Sequence, residues 1–543
     1  MATRFPFLLA IVCSLTLTSA QQPQDRFDIA GMVVNSATGK PIARALVELY
    51  GHAMLTSVDG EFAFAGVPAG TAQVTLEKPG YFVPGAKLTN GSAISIEVGP
   101  DTGKIVLKLA PEAAIFGRVT GKDEEPLEGA RVEALKYVFR EGGRRLINAS
   151  IGSDRPTDED GNFKISVLPA GRYYIAVWAG NVDRRTLGAR TIETPEAYPG
   201  VIFYPGMKDM GAATAIDLVP GQRMELQLSL TREPAYKVSG TVTATGYLLV
   251  RNVYIVGPMD EPLFTTDQFD ARTGKFEFRA VPAGKYTLRV NGSDLQNKVS
   301  TFSDQTLTVS HPLADLKLVL RPGADIPVVI HRELDPSRSL GRCTSVLPNG
   351  EPHESDCSEY PAAFVELIGL ESEGRRYNTA SNALPDPSTL EFHGVTPGKY
   401  LVRARANFGG YVQSLRSGGL DLLEQTFTVP GNGQIAPIEV VVRDDAAELR
   451  VGLRADPPRR ALVLVVPVSA PRAAPEMTAT SSKWIGFPNL APGTYDVFAF
   501  DAQAAPDYAD PDFLSRYAGK AARVTVTAGG KASVTVDVIQ LEE

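Results

Sequence analysis

The chain has 543 residues, with 54 Lys and Arg against 62 Asp and Glu, giving a formal net charge of −8 at neutral pH. That balance argues against nucleic acid and anionic membrane surfaces as partners. Beyond the N-terminus no run approaches the roughly 18 consecutive apolar residues that a membrane-spanning helix needs, so no membrane span is expected.

The N-terminus carries one positive charge at Arg4, an apolar stretch from Phe5 to about Leu17, and the small residues Thr18 and Ala20 before polar Gln21-Gln22-Pro23-Gln24. This is the layout of a secretory signal peptide over residues 1–20, cut after Ala20. Cys13 lies inside the apolar stretch and Leu15-Thr16-Leu17 continues past it, which speaks against a lipid-modified cysteine. The expected product is periplasmic or secreted.

A short pattern then recurs five times: an apolar pair two residues apart, a turn ending in glycine, and usually a tyrosine two residues on. It reads Phe62-Ala63-Phe64 with Val67-Pro68-Ala69-Gly70, then Phe163-Lys164-Ile165 with Leu168-Pro169-Ala170-Gly171-Arg172-Tyr173, then Phe276-Glu277-Phe278 with Val281-Pro282-Ala283-Gly284-Lys285-Tyr286. The last copies are Leu390-Glu391-Phe392 with Val395-Thr396-Pro397-Gly398-Lys399-Tyr400, and Ile485-Gly486-Phe487 with Leu490-Ala491-Pro492-Gly493-Thr494-Tyr495. Residues two apart share one face of a strand, so Phe276 and Phe278 point inward while Glu277 faces water. After the turn, Tyr286, Leu288 and Val290 alternate with Lys285, Thr287 and Arg289, as in a half-buried antiparallel strand. Each copy therefore reads as a β-hairpin, with proline fixing φ and the turn glycine expected in the left-handed region. A period of roughly 95 to 115 residues is too long for a solenoid repeat and suits a small domain.

Five like modules are expected, over 26–110, 113–231, 235–322, 324–445 and 448–543. The first opens with Gly31-Met32-Val33-Val34-Asn35, turns at Thr38-Gly39-Lys40-Pro41 and continues as Ala45-Leu46-Val47-Glu48-Leu49. The second repeats this with Gly117-Arg118-Val119-Thr120 and Pro126-Leu127-Glu128-Gly129-Ala130-Arg131-Val132. With Ser57-Val58-Asp59-Gly60-Glu61-Phe62 and the proline-glycine turn, these segments resemble the carboxypeptidase regulatory-like domain family. The resemblance implies a transthyretin-like β-sandwich, grouped by fold with starch-binding-like and other carbohydrate-binding-like modules. It runs through the first two modules and holds mainly at the hairpin in the other three. The expected fold class is all-β, a tandem array of five Ig-like or transthyretin-like sandwiches, with one short helix within Asp512 to Ala518.

Relatives in that family are commonly attached to zinc carboxypeptidases, so chemistry has to be looked for. The five histidines are His52, His311, His331, His353 and His393, and none has a glutamate or histidine at a spacing that reads as a zinc site. The chain has no room for the carboxypeptidase domain itself, and it carries no nucleophile elbow, phosphate-binding loop or cysteine–histidine pair. No catalytic residue, metal or cofactor is expected. The carboxylates of Asp154-Arg155-Pro156-Thr157-Asp158-Glu159-Asp160-Gly161 fail the calcium-loop spacing, and an Asp-Gly turn accounts for them and for Thr56-Ser57-Val58-Asp59-Gly60. Cys343 and Cys357 lie in a polar insertion of the fourth module. In an exported chain they read first as one local disulfide, worth roughly 3 kcal/mol for a loop of about 15 residues.

Two insertions, Thr194 to Gly206 and Pro506 to Leu514, set aromatics among prolines, glycines and aspartates, either to pack onto their own module or to project as contacts. Parity puts Tyr174 and Trp178 on the face opposite Tyr173, Ile175 and Val177, and puts Trp484 opposite Ile485 and Phe487. Tyr174, Trp178 and Trp484 are the candidate ligand-binding residues, because sugar rings stack on exposed aromatic side chains. The competing reading is that a neighbouring module or the 194–206 insertion covers them. The function expected is an exported, non-catalytic binding or scaffold protein of the adhesion type. Alternatives are a carbohydrate-binding protein that uses the outer aromatics, or an accessory subunit of an envelope enzyme or transporter. The partners implied are a polysaccharide or an envelope protein.

Overall fold

The structure is a computed structural model that describes residues 25–84, 93–100, 102–140, 143–149, 155–179, 196–246, 248–257, 262–295, 299–334, 341–346, 352–357, 360–370, 376–378, 389–407, 409–431, 434–454, 461–469, 475–480, 482–501, 508 and 511–540. The expected signal peptide lies outside these residues. The described residues are all-β apart from the short helix Pro511–Arg516 and a few 3-10 turns, and the chain divides into two compact units.

In the first unit, Met1–Lys78 with Asn90–Leu109, strand Arg26–Asn35 pairs antiparallel with Glu61–Pro68 and parallel with residues 105–109. A second sheet runs in the order His52–Leu55, Leu46–Leu49, Gly70–Glu77, Ala93–Val98. Alternation sends Ile29 and Val33 from one sheet, and Val47, Leu49, Val74 and Leu76 from the other, into a buried core.

The second unit repeats this three-strand plan four times. Ala113–Thr120 pairs antiparallel with Asn162–Leu168 and parallel with Arg223–Ser229. Glu233–Ala244 does so with Lys275–Pro282 and Leu313–Leu320, and Ala324–Glu333 with Thr389–Val395 and Ile438–Arg443. Ala447–Leu453 does so with Trp484–Leu490 and Lys531–Val536. A mainly antiparallel sheet accompanies each, and the buried clusters draw on both sheets, for example Ile115 and Phe163 with Tyr173 and Ile175.

The tyrosine of the repeat closes a corner. Tyr173, Tyr286, Tyr400 and Tyr495 each donate the phenol to the carbonyl four residues back, on Pro169, Pro282, Thr396 and Ala491, at 2.7, 3.0, 2.7 and 2.7 Å. Burial pushes the phenols of Tyr173 and Tyr495 up to about 12, and raises Tyr286 as well. The first unit has Ala72 at this place. Elsewhere, Thr56 and Thr157 are buried pins: each hydroxyl donates to a carbonyl, of Ile42 or Leu127, and accepts an amide, of Ala45 or Ala130. The glycines that follow in the Asp-Gly turns, Gly60 and Gly161, have φ of 72° and 74°.

The expected positive φ of the turn glycine holds at Gly70, Gly171 and Gly398, at 117°, 151° and 151°, but not at Gly284 and Gly493; what opposes a side chain at 284 is Tyr286, whose hydroxyl would lie 3.0 Å from an added Cβ. The recurrent left-handed residue stands four positions earlier, in a bulge of the hairpin's first strand. It is Gly66, Val167, Gly394 and Asn489, at φ 65°, 60°, 64° and 71°. A bulge leaves one residue unpaired and bends the strand, which carries the chain over the edge of the sandwich.

Candidate functional site

The candidate aromatics fall in two different sandwiches. Trp178 closes strand Gly171–Trp178, where Arg131 pairs with it on one side and Val201 of the insertion on the other. It is only 8% exposed. Its indole Nε1 donates to Glu133 Oε2 at 2.8 Å, Glu133 Oε1 accepts from Arg131 Nε at 2.8 Å, and the Arg131 guanidinium lies 5.5 Å from the ring centre. The indole therefore offers no open face, and the expectation of a platform at Trp178 is corrected.

What covers it is the third sandwich. Leu135, Ala176, Trp178, Val201 and Phe203 belong to one buried cluster with Val253, Ile255, Leu263, Phe264 and Leu288. The insertion provides the approach: a Cβ added at Gly200 would meet Phe264 and Leu263 at 3.0 and 3.1 Å. Glu196–Ala197 also pairs with Glu233–Ala244. Tyr174 is half-buried, edge-to-face with Tyr137 at 5.6 Å, and the Arg144 guanidinium caps Tyr137 at 3.9 Å. Next to it in sequence, Arg145 donates to the carbonyl of Gly369 in the fourth sandwich.

Trp484 differs. It is 42% exposed on the outer face of the fifth sandwich, opposite Gly452 in register, with the Arg450 guanidinium 4.8 Å from the ring centre. A Cβ at Gly452 would lie 2.8 Å from Cζ3, so glycine lets the indole lie down on the sheet. Of the expected insertion Pro506 to Leu514, residues 506, 507, 509 and 510 lie outside the described residues; Phe513 packs inward, joining Tyr517, Leu464, Phe498, Phe500 and Ile539 in a small second core. Cys343 and Cys357 are bonded, S–S 1.96 Å, at the hairpin of Arg342–Val346 and Pro352–Asp356.

A further cluster escapes the sequence reading. Glu391 and His393 stand two apart on strand Thr389–Val395, and Asp325 reaches them from the bulge of the neighbouring strand. His393 Nδ1 lies 3.5 Å from Asp325 Oδ1 and 3.8 Å from Glu391 Oε2, and the three donor atoms lie within 4.8 Å of one another. The Glu-x-His spacing was its visible signal, since positions two apart share a strand face. The third donor comes from a distant segment.

Residues 28–98, within the first sandwich, match the carboxypeptidase regulatory-like domain. No curated protein matches the chain. Among solved structures, a streptococcal ancillary pilin is 13% identical, with 54% of this chain and 99% of that one covered and a TM-score of 0.19. The Bacillus anthracis TIE protein is 11% identical, covering 77% and 69% at a TM-score of 0.15. BcpA, the major pilin subunit of Bacillus cereus, is 13% identical, covering 61% and 99% at 0.14. Likeness at such scores carries no weight for function.

Proposed function

We propose that this is an exported, non-catalytic scaffold or binding protein of the adhesion type, made of sandwiches over 26–110, 113–231, 235–322, 324–445 and 448–543, acting in the periplasm or outside the cell. The observation that supports it is the common apolar core of the second and third sandwiches, with Trp178 and Phe203 on one side and Phe264 and Leu288 on the other. Modules joined by a buried core hold their surfaces at fixed spacing, as a scaffold requires, whereas a bare linker leaves them free to move. The partner in this reading is an envelope protein.

A second reading, polysaccharide binding, is favoured by Trp484, which keeps an exposed indole on Gly452 beside Arg450. One experiment separates the two: the purified full chain is offered a native envelope extract and a glycan array. The scaffold reading expects saturable capture of one envelope protein, unaffected by Trp484→Ala. The glycan reading expects retention on a polysaccharide that Trp484→Ala weakens by roughly 1 to 3 kcal/mol with an unchanged melting temperature. Peptide hydrolysis by the purified chain would overturn both.

A further inference from the structure

We propose that Asp325, Glu391 and His393 bind a divalent first-row transition metal ion on the surface of the fourth sandwich, with zinc as the reference ion. The donor set is one imidazole nitrogen and two carboxylate oxygens, which suits zinc and its neighbours better than calcium or magnesium. Donors about 2.1 Å from one ion stand roughly 3.0 to 3.4 Å apart in octahedral or tetrahedral geometry. His393 Nδ1 stands 3.5 and 3.8 Å from the two carboxylates and all three donors lie within 4.8 Å of one another, so side-chain rotations must draw the set together around an ion. Three protein donors leave one or more positions for water or for a ligand atom of a partner.

The other sandwiches serve as internal controls. In the first, Asp28 holds the place of Asp325, and its Oδ1 accepts the amide of Gly66 at 2.8 Å, just as Asp325 Oδ1 accepts that of Gly394 at 3.0 Å. That bond is the structural task of the aspartate, and the first sandwich performs it with Ala63 and Ala65 where the fourth has Glu391 and His393. In the third, the same places hold Lys237, Glu277 and Arg279, two cations and one carboxylate, and Lys237 pairs with Glu277 at 2.8 Å. The fourth sandwich instead brings two carboxylates together around an imidazole. The bulge does not require this, and a cation would neutralise it. The bulge aspartate also pins one donor in place before any ion arrives.

The test is calorimetric titration of chelator-stripped full chain with zinc chloride, with cobalt(II) absorption as a second readout. One saturable equivalent is expected, together with a rise in melting temperature of one transition and no displacement by excess calcium. His393→Ala and Glu391→Gln should each weaken that equivalent at least tenfold, and His311→Ala should leave it unchanged. All three ligands are exposed, so the metal-free variants should melt with the metal-free parent, which separates loss of the site from loss of the fold. Asp325→Asn, which keeps an acceptor for Gly394, should also weaken binding. Absence of a saturable equivalent, or one that survives both His393→Ala and Glu391→Gln, would overturn the proposal. The outcome is independent of whether the partner is a protein or a polysaccharide.

Discussion

Val167 is the residue under most evident backbone tension: a β-branched side chain at φ 60°, where its counterparts are Gly66, Gly394 and Asn489. The left-handed conformation costs a non-glycine residue about 1 to 2 kcal/mol, more when Cβ is branched. Val167→Gly should therefore be neutral or stabilising by about 1 kcal/mol, net of glycine's extra chain entropy, while Gly394→Val should destabilise its sandwich by more than about 1 kcal/mol. Thermal unfolding of the two variants checks the pair; no loss at 167 together with a clear loss at 394 is the signature of the bulge. At Trp178, with Nε1 bonded to Glu133 and the ring buried, truncation to alanine should cost about 3 to 5 kcal/mol. The corner tyrosines respond to alkali. Burial raises the phenols of Tyr173, Tyr286 and Tyr495, to about 12 for Tyr173 and Tyr495, from an ordinary value near 10. The unfolded state ionises first, so the stability they contribute is complete below pH about 10 and is lost as pH rises through about 12. Spectroscopic titration should show these phenols ionising together with unfolding.

At the scale of elements, hairpins and their inward faces were legible because strand parity is local: Phe276 and Phe278 are buried, as alternation requires. The Asp-Gly turns and the short helix near 512 were legible for the same reason. Parity names a face without naming its cover. Trp178 and Trp484 have the same outward parity, yet one lies under the third sandwich and the other at the surface, a difference set by contacts across modules. The bulge was not legible, because proline and glycine mark the turn conspicuously whereas a left-handed valine carries no compositional mark. Asp325, Glu391 and His393 escaped because two strands far apart in sequence supply one cluster. For the hairpin closed by Cys343 and Cys357, reduction should lower the stability of the fourth sandwich by roughly 3 kcal/mol and leave other transitions in place. Calorimetry with and without reductant measures this.

For the whole molecule, the shared core changes how the chain should come apart. The first sandwich, with its own core of Ile29, Val33, Leu49, Phe62 and Leu76, should fold as the fragment 26–110. The third should not behave so independently, since Leu263, Phe264 and Leu288 are buried in a cluster that includes Trp178 and Phe203 of the second. The decisive measurement is calorimetric unfolding of the fragment 113–322 beside 235–322 alone. A scaffold of core-linked sandwiches predicts one cooperative transition for the pair, moved down as a whole by Trp178→Ala, and a third sandwich that is markedly less stable or aggregates when isolated. Two separate transitions, with 235–322 melting alone as it does in the pair and Trp178→Ala affecting only the second, would contradict it.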